Sequence, residues 1–158
     1  MIVIADSSAL IALATCSALE ILAGLYDEVY VPRSVYEEVS QPDKPNAVIL
    51  SQFLQSRVVD VDKKKMLITV GGLGEGEIEA MTLYLQLSAD RLLIDDRRAR
   101  RVAEANKISC IGALGILLLA KHNSLIAEIT PFVEQLRHAP LHYSEALLTK
   151  VQQLAGEL

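Results

Sequence analysis

The stretch RLLIDDRRARRVAEANKISCIG, residues 91–112, decides how the fold is read. Leu92, Leu93 and Ile94 read as a buried strand over 91–95, 97–107 as a helix, and ISCIG at 108–112 as the next strand. A helix between two such strands is a crossover unit of a parallel sheet. Working outward, MIVIA (1–5), EVYVP (28–32) and RVVDV (57–61) are further short β-rich runs. Helical patterns separate them: 7–25, broken near Thr15–Ser17, then 33–40, 46–56 and 71–89, with helices again after 112. The alternation predicts an α/β domain with a central, mostly parallel sheet flanked by helices.

With 158 residues and no internal repeat or low-complexity linker, the chain is expected to form a single domain over 1–158. Hydrophobic residues make up 51% and charged residues 22%, the balance of a packed globular chain. Cys16 and Cys110 lack a CxxC partner and sit in apolar surroundings, so both are expected to be reduced, packed thiols. The N-terminus lacks a basic region and Asp6 interrupts the first apolar run. The longest apolar stretch, at 111–120, is too short to span a bilayer. The expectation is a cytoplasmic protein with no membrane partner.

The net charge of −5 lacks the basic footprint of a nucleic-acid binder. Acids gathered in one cleft would lower that figure while basic residues still rimmed it.

The positions of the acids are the informative feature. Asp6 follows the first strand and opens a helix. It is a good N-cap, and in an open α/β sheet it is also at the carboxyl end of a strand, where ligands bind. Asp95 and Asp96 take the same place after the 91–95 strand, and Asp96 too could cap the helix that follows. Helical spacing puts Glu38 near the inward face of its helix and Glu37 outside. In GEGEIEA, Glu75, Glu79, Thr82 and Gln86 follow a polar, solvated spacing. Glu77 shares a side with Ala80, Met81 and Tyr84 and is the one placed at a cost. Two strand-end aspartates plus two core-edge glutamates exceed what capping requires. Such a cluster would repel itself without cations, and hard oxygen ligands select Mg²⁺ or Mn²⁺.

At these residues the chain resembles the PIN-domain family, the fold of VapC-type toxins. IADSSALIAL is similar to that family's opening strand, Asp, Ser/Thr-Ser and apolar helix. VPRSVYEEV is similar to its second motif, GEGEIEAM to its third and LLIDDRRARRVAEANKISCIG to its fourth. The resemblance covers about residues 1–122, with 123–158 as a C-terminal helical extension of the same three-layer domain. It implies Asp6, Glu38, Glu77 and Asp96 as catalytic, metal-binding acids and Ser8 as an orienting hydroxyl. Arg98 stands where many members carry another acid, and Asp95 adds a carboxylate just before the fourth. Which aspartate is the closer ligand, and whether one or two metals bind, stays open.

The implied activity is metal-dependent endoribonuclease chemistry. The chain would then be the toxin of a toxin–antitoxin pair, with RNA as substrate and an antitoxin and a second copy of itself as partners. Arg97, Arg98, Arg100 and Arg101 would hold backbone phosphates, or else pair with surface acids such as Glu104. Two other readings compete. One is a non-catalytic nucleic-acid- or protein-binding module of the same fold. The other is a phosphoaspartate receiver, which wants a lysine after a late strand, where Lys107 instead precedes one. His122, His138 and His142 show no ligand spacing, and the glycines at 71, 72, 74 and 76 form no phosphate loop.

Overall fold

A computed structural model describes residues 1–65 and 72–158. Gly71, the first of the glycine run, lies outside the described residues. The chain begins with β1 (Ile2–Ala5), α1 (Ser7–Thr15) and α2 (Leu19–Leu25), the break between the helices carrying Ser17 at φ 61°. It continues through β2 (Glu28–Pro32), α3 (Arg33–Val39), α4 (Ala47–Leu54), β3 (Val58–Val59) and a 3₁₀ turn at Lys63–Lys65. Next come α5 (Glu75–Leu87), β4 (Arg91–Leu93), α6 (Arg97–Ala105) and β5 (Cys110–Ile111). Three helices close the chain: α7 (Ala113–His122), α8 (Thr130–Arg137) and α9 (Glu145–Leu154).

Every pairing in the five-stranded sheet is parallel, in the order β3-β2-β1-β4-β5. The chain winds outward from β1 to β3, then crosses to the far side of β1 for β4 and β5. The order therefore reverses between β1 and β4, and such a switch point opens a crevice at the strands' carboxyl ends. Ala5 pairs with Leu93, and the Asp6 amide extends the ladder by donating to the Leu93 carbonyl at 2.9 Å. The receiver reading fails here. Receivers wind in the order 2-1-3-4-5, and the exposed Lys107 lies ahead of β5.

Strand side chains alternate between two cores, as the period of two demands. Val3, Ala5, Val29, Val31 and Leu93 pack with α1, α2, α7 and the buried sides of α8 and α9. Ile4, Leu92 and Ile94 pack with Met81 and Leu83 of α5 and Ala99 and Ala103 of α6 on the other face. With both faces covered, the strands are nearly continuous apolar runs. On α7, Leu114 and Leu117 are buried and Leu118 packs against that core. Cys16 and Cys110 are free thiols, the first buried and the second half-buried. Among the described residues no single helix is long and apolar enough to cross a membrane.

One helix departs from its expected face. Thr82 is fully buried and Glu79 only 4% exposed, so the polar spacing of α5 does not mark a solvated side. The helix lies against β1, β2 and β4 and also against α3, which leaves its middle turn covered all round. Thr82 tolerates this because its hydroxyl donates to the Ile78 carbonyl at 2.8 Å.

Candidate functional site

The switch-point crevice is a cleft of about 510 Å³ whose lining includes Asp6, Ser7, Ser8, Glu38, Glu77 and Asp96. Its four principal acids thus arrive from four segments of the chain. Asp6 occupies the N-cap position of α1 without capping it by its side chain. It is 4% exposed. Burial pushes its carboxyl up to about 7, the Ser7 amide pulls the other way, and the charges of Glu77, Glu38 and Asp96 raise it further.

The other three acids are each fixed by one hydrogen bond. The Ser7 hydroxyl donates to Glu38 Oε2 at 2.6 Å. Glu38 is exposed in the open cleft, so the expected core-edge placement is replaced by one at a solvent-filled mouth. Glu77 Oε1 accepts the Gly74 amide at 2.9 Å, satisfying the backbone donor at the N-cap of α5. Asp96 Oδ2 accepts the Ala99 amide at 2.8 Å, so it caps α6 and faces the cleft together. Ser8 lies exposed along the lining, and the hydroxyl bonded to a cleft acid belongs to Ser7.

Gly76 gives the cleft its depth. A Cβ there would stand 3.2 Å from Val35 Cγ2, 3.6 Å from Glu38 Oε2 and 3.9 Å from Asp6 Oδ1. A side chain would fill the space between the two carboxylates, so this glycine permits close approach of α5 to α3 rather than a turn.

Asp95 is not part of the cleft. Its Oδ1 accepts the Ala113 amide at the start of α7, and its Oδ2 accepts the Tyr143 hydroxyl. The expectation of a fifth carboxylate at the site is corrected. With adjacent residues leaving a strand end, Asp96 turns to the cleft and Asp95 to the opposite side. Tyr143, which sequence reasoning left out, anchors that second side and is pushed well above the usual phenol range by burial and the Asp95 charge.

None of the four arginines of α6 lines the cleft. Arg100 pairs with Glu104 at 3.2 Å, and the Arg98 guanidinium lies over Gly72, where a Cβ would collide with it. Arg97 and Arg101 are exposed one turn apart. The three histidines are exposed and stand apart from the cleft.

Among the described residues, no three His, Cys, Asp or Glu side chains are gathered closely enough to hold an ion as they stand. In kind, however, the cleft fits a hard divalent cation. Its donors are oxygens, Gly76 keeps the gap between two of them open, and Asp6 is buried among negative charges.

A doubly covered parallel sheet with an acid-lined cleft at its switch point defines an α/β protein whose chemistry sits at the strand ends. The family model "DUF3368: PIN domain" matches residues 2–157, and the chain belongs to this PIN-domain family, a nuclease-type fold. No curated protein and no solved structure matches it.

Proposed function

We infer that this chain is a metal-dependent nuclease that hydrolyses RNA phosphodiester bonds in the Asp6–Glu38–Glu77–Asp96 cleft. The observation that carries the reading is the convergence of these acids, from separate segments, around a buried Asp6 on which the negative charges of the other three bear. The four carboxylates would hold Mg²⁺ or Mn²⁺, which when bound lowers the pKa of a water and polarises a phosphoryl oxygen. Ser7 and the Gly74 and Ala99 amides keep the acids in place before substrate arrives. Arg97 and Arg101, exposed on the helix that Asp96 caps, would take backbone phosphates beside the cleft. Ser8, on the lining, is left to meet solvent or substrate.

A toxin role restrained by an antitoxin, a homodimer and a cytoplasmic setting belong to this reading as its biological frame. Its central test is cleavage of a mixed single-stranded RNA pool with Mn²⁺ or Mg²⁺, with EDTA, and with Asp6→Asn purified identically. The expected result is cleavage that needs metal and falls at least about 100-fold in a folded Asp6→Asn. Equal cleavage by wild type and variant would reject it.

A second reading keeps the fold as an RNA-binding module without turnover. The observation favouring it is that, among the described residues, no three acids stand at chelating distance. RNA binding by folded wild type with no cleavage under either metal would select it.

A further inference from the structure

Beside the cleft lies a second depression of about 350 Å³, and the two share Ser34 and Glu75. Its lining includes Arg33, Lys63 and Glu79. Glu79 belongs to the covered middle of α5, and its Oε2 is enclosed and has no hydrogen-bond partner among the described residues. Ser34 Oγ is likewise enclosed and unpartnered. A buried carboxylate oxygen without a donor carries a desolvation cost that folded proteins rarely leave unmet. Two such atoms lining one depression call for a ligand that brings donors.

The charges around them limit its chemistry. Arg33 is held by Asp60 at 2.8 Å, and Lys63 stands 3.8 Å from Glu75. The lining also carries Glu37, Asp60 and Glu75, so its acids outnumber its two paired cations. A second metal ion would need several ligands gathered round it, and among the described residues no three acids are so gathered, whereas a neutral donor edge needs only one carboxylate. A depression of this size, continuous with the cleft, suits one nucleotide next to the scissile bond. Unstacked RNA bases are read through their Watson–Crick edges. Guanine alone presents two adjacent donors there, N1–H and the 2-amino group, which match the two oxygens of a carboxylate.

Resting on the RNA-nuclease reading above, we propose that this depression is a guanine subsite, with Glu79 as the specificity-determining acceptor. Ser34 supplies a further polar contact to the base, and Lys63 and Arg33 meet the neighbouring phosphates. The subsite biases which RNA segments are seated across the acids of the cleft.

The test is binding, read by fluorescence anisotropy in EDTA, where cleavage is suppressed. The probes are a short oligouridine carrying one central guanosine and the same strand with inosine, which lacks the 2-amino group. Wild type is expected to hold the guanosine strand about tenfold tighter, the scale of one hydrogen bond to a charged acceptor. In Glu79→Gln, shown folded by circular dichroism, the two strands should bind alike. Equal binding of both strands by wild type overturns the subsite without any variant, and a preference that survives Glu79→Gln overturns the role of Glu79. Because no cleavage enters the readout, a guanosine preference alongside absent metal-dependent cleavage would sink the nuclease reading and leave the subsite standing. Metal-dependent cleavage without the preference would do the reverse.

Discussion

Asp6 is costly where it sits, and that cost is measurable apart from any catalysis. Its carboxyl stands at about 7 in the folded chain against the ordinary aspartate value of 3.8. Between those values the folded state binds more protons than the unfolded one, so this residue makes stability fall as pH rises from about 4 to about 7. Above that range the penalty is fully present. At 1.36 kcal/mol per pKa unit it amounts to at most about 4 kcal/mol. Asp6→Asn is therefore expected to melt higher than wild type in EDTA at pH 8, by roughly 5–10 °C, with the difference shrinking toward pH 4. Calorimetry across that range checks it, and a variant that melts lower at pH 8 would show the carboxylate to be compensated. Sequence position was enough to bring Asp6, Glu38, Glu77 and Asp96 to one cleft, because a strand end and a helix's first turn each fix where a side chain starts. Which neighbour faces inward was harder to read. Asp95 against Asp96, and Ser7 against Ser8, turn on a single residue's rotation that no periodicity specifies. Glu79 was misplaced because α5 has two packed sides, whereas a helical pattern presumes one.

Among the elements, the strands were found where their apolar runs lie, but they are shorter than those runs. RVVDV yields only Val58–Val59 and ISCIG only Cys110–Ile111, each at a sheet edge with one neighbour to pair with. The ends of the C-terminal helices are tied by a device invisible in the pattern. Glu157, just past α9, accepts the Ile129 and Thr130 amides at 2.8 Å each and the Lys121 ammonium at 2.9 Å. Burial alone would raise its pKa. The Thr130 hydroxyl, the two amides and Lys121 outweigh that and hold it at about 2. A depressed carboxyl stabilises the fold above its unfolded value of 4.5 and loses that contribution as pH falls from about 4.5 to about 2. Glu157→Gln should thus cost about 2 kcal/mol at neutral pH, the scale of hydrogen bonds to a charged group. Its melting temperature should converge on that of wild type as acid is added through the same window. Parallel melting curves at all pH values would mean the clasp contributes through packing and not through charge.

The C-terminal extension is built into the core, which sets how far the chain can be shortened. Leu148 is 1% exposed and Val151 4%, and both belong to the cluster that covers one sheet face through α1, α2 and α7. Each contributes about 1.5–3 kcal/mol of burial. Removing residues 145–158 would also uncover Val133 and Leu136 of α8 and release the Glu157 clasp on that helix. Together these losses approach the net stability of an ordinary domain, about 5–15 kcal/mol. The motifs end near residue 122, yet the fragment 1–144 is expected to lose cooperative melting and fixed aromatic environments, read by near-ultraviolet circular dichroism. A fragment that melted as sharply as the full chain would make α9 an appendage. The acids of the cleft would then depend on α1, α3, α5 and α6 alone, and the exposed Leu147 and Leu154 of α9 would have no bearing on the site.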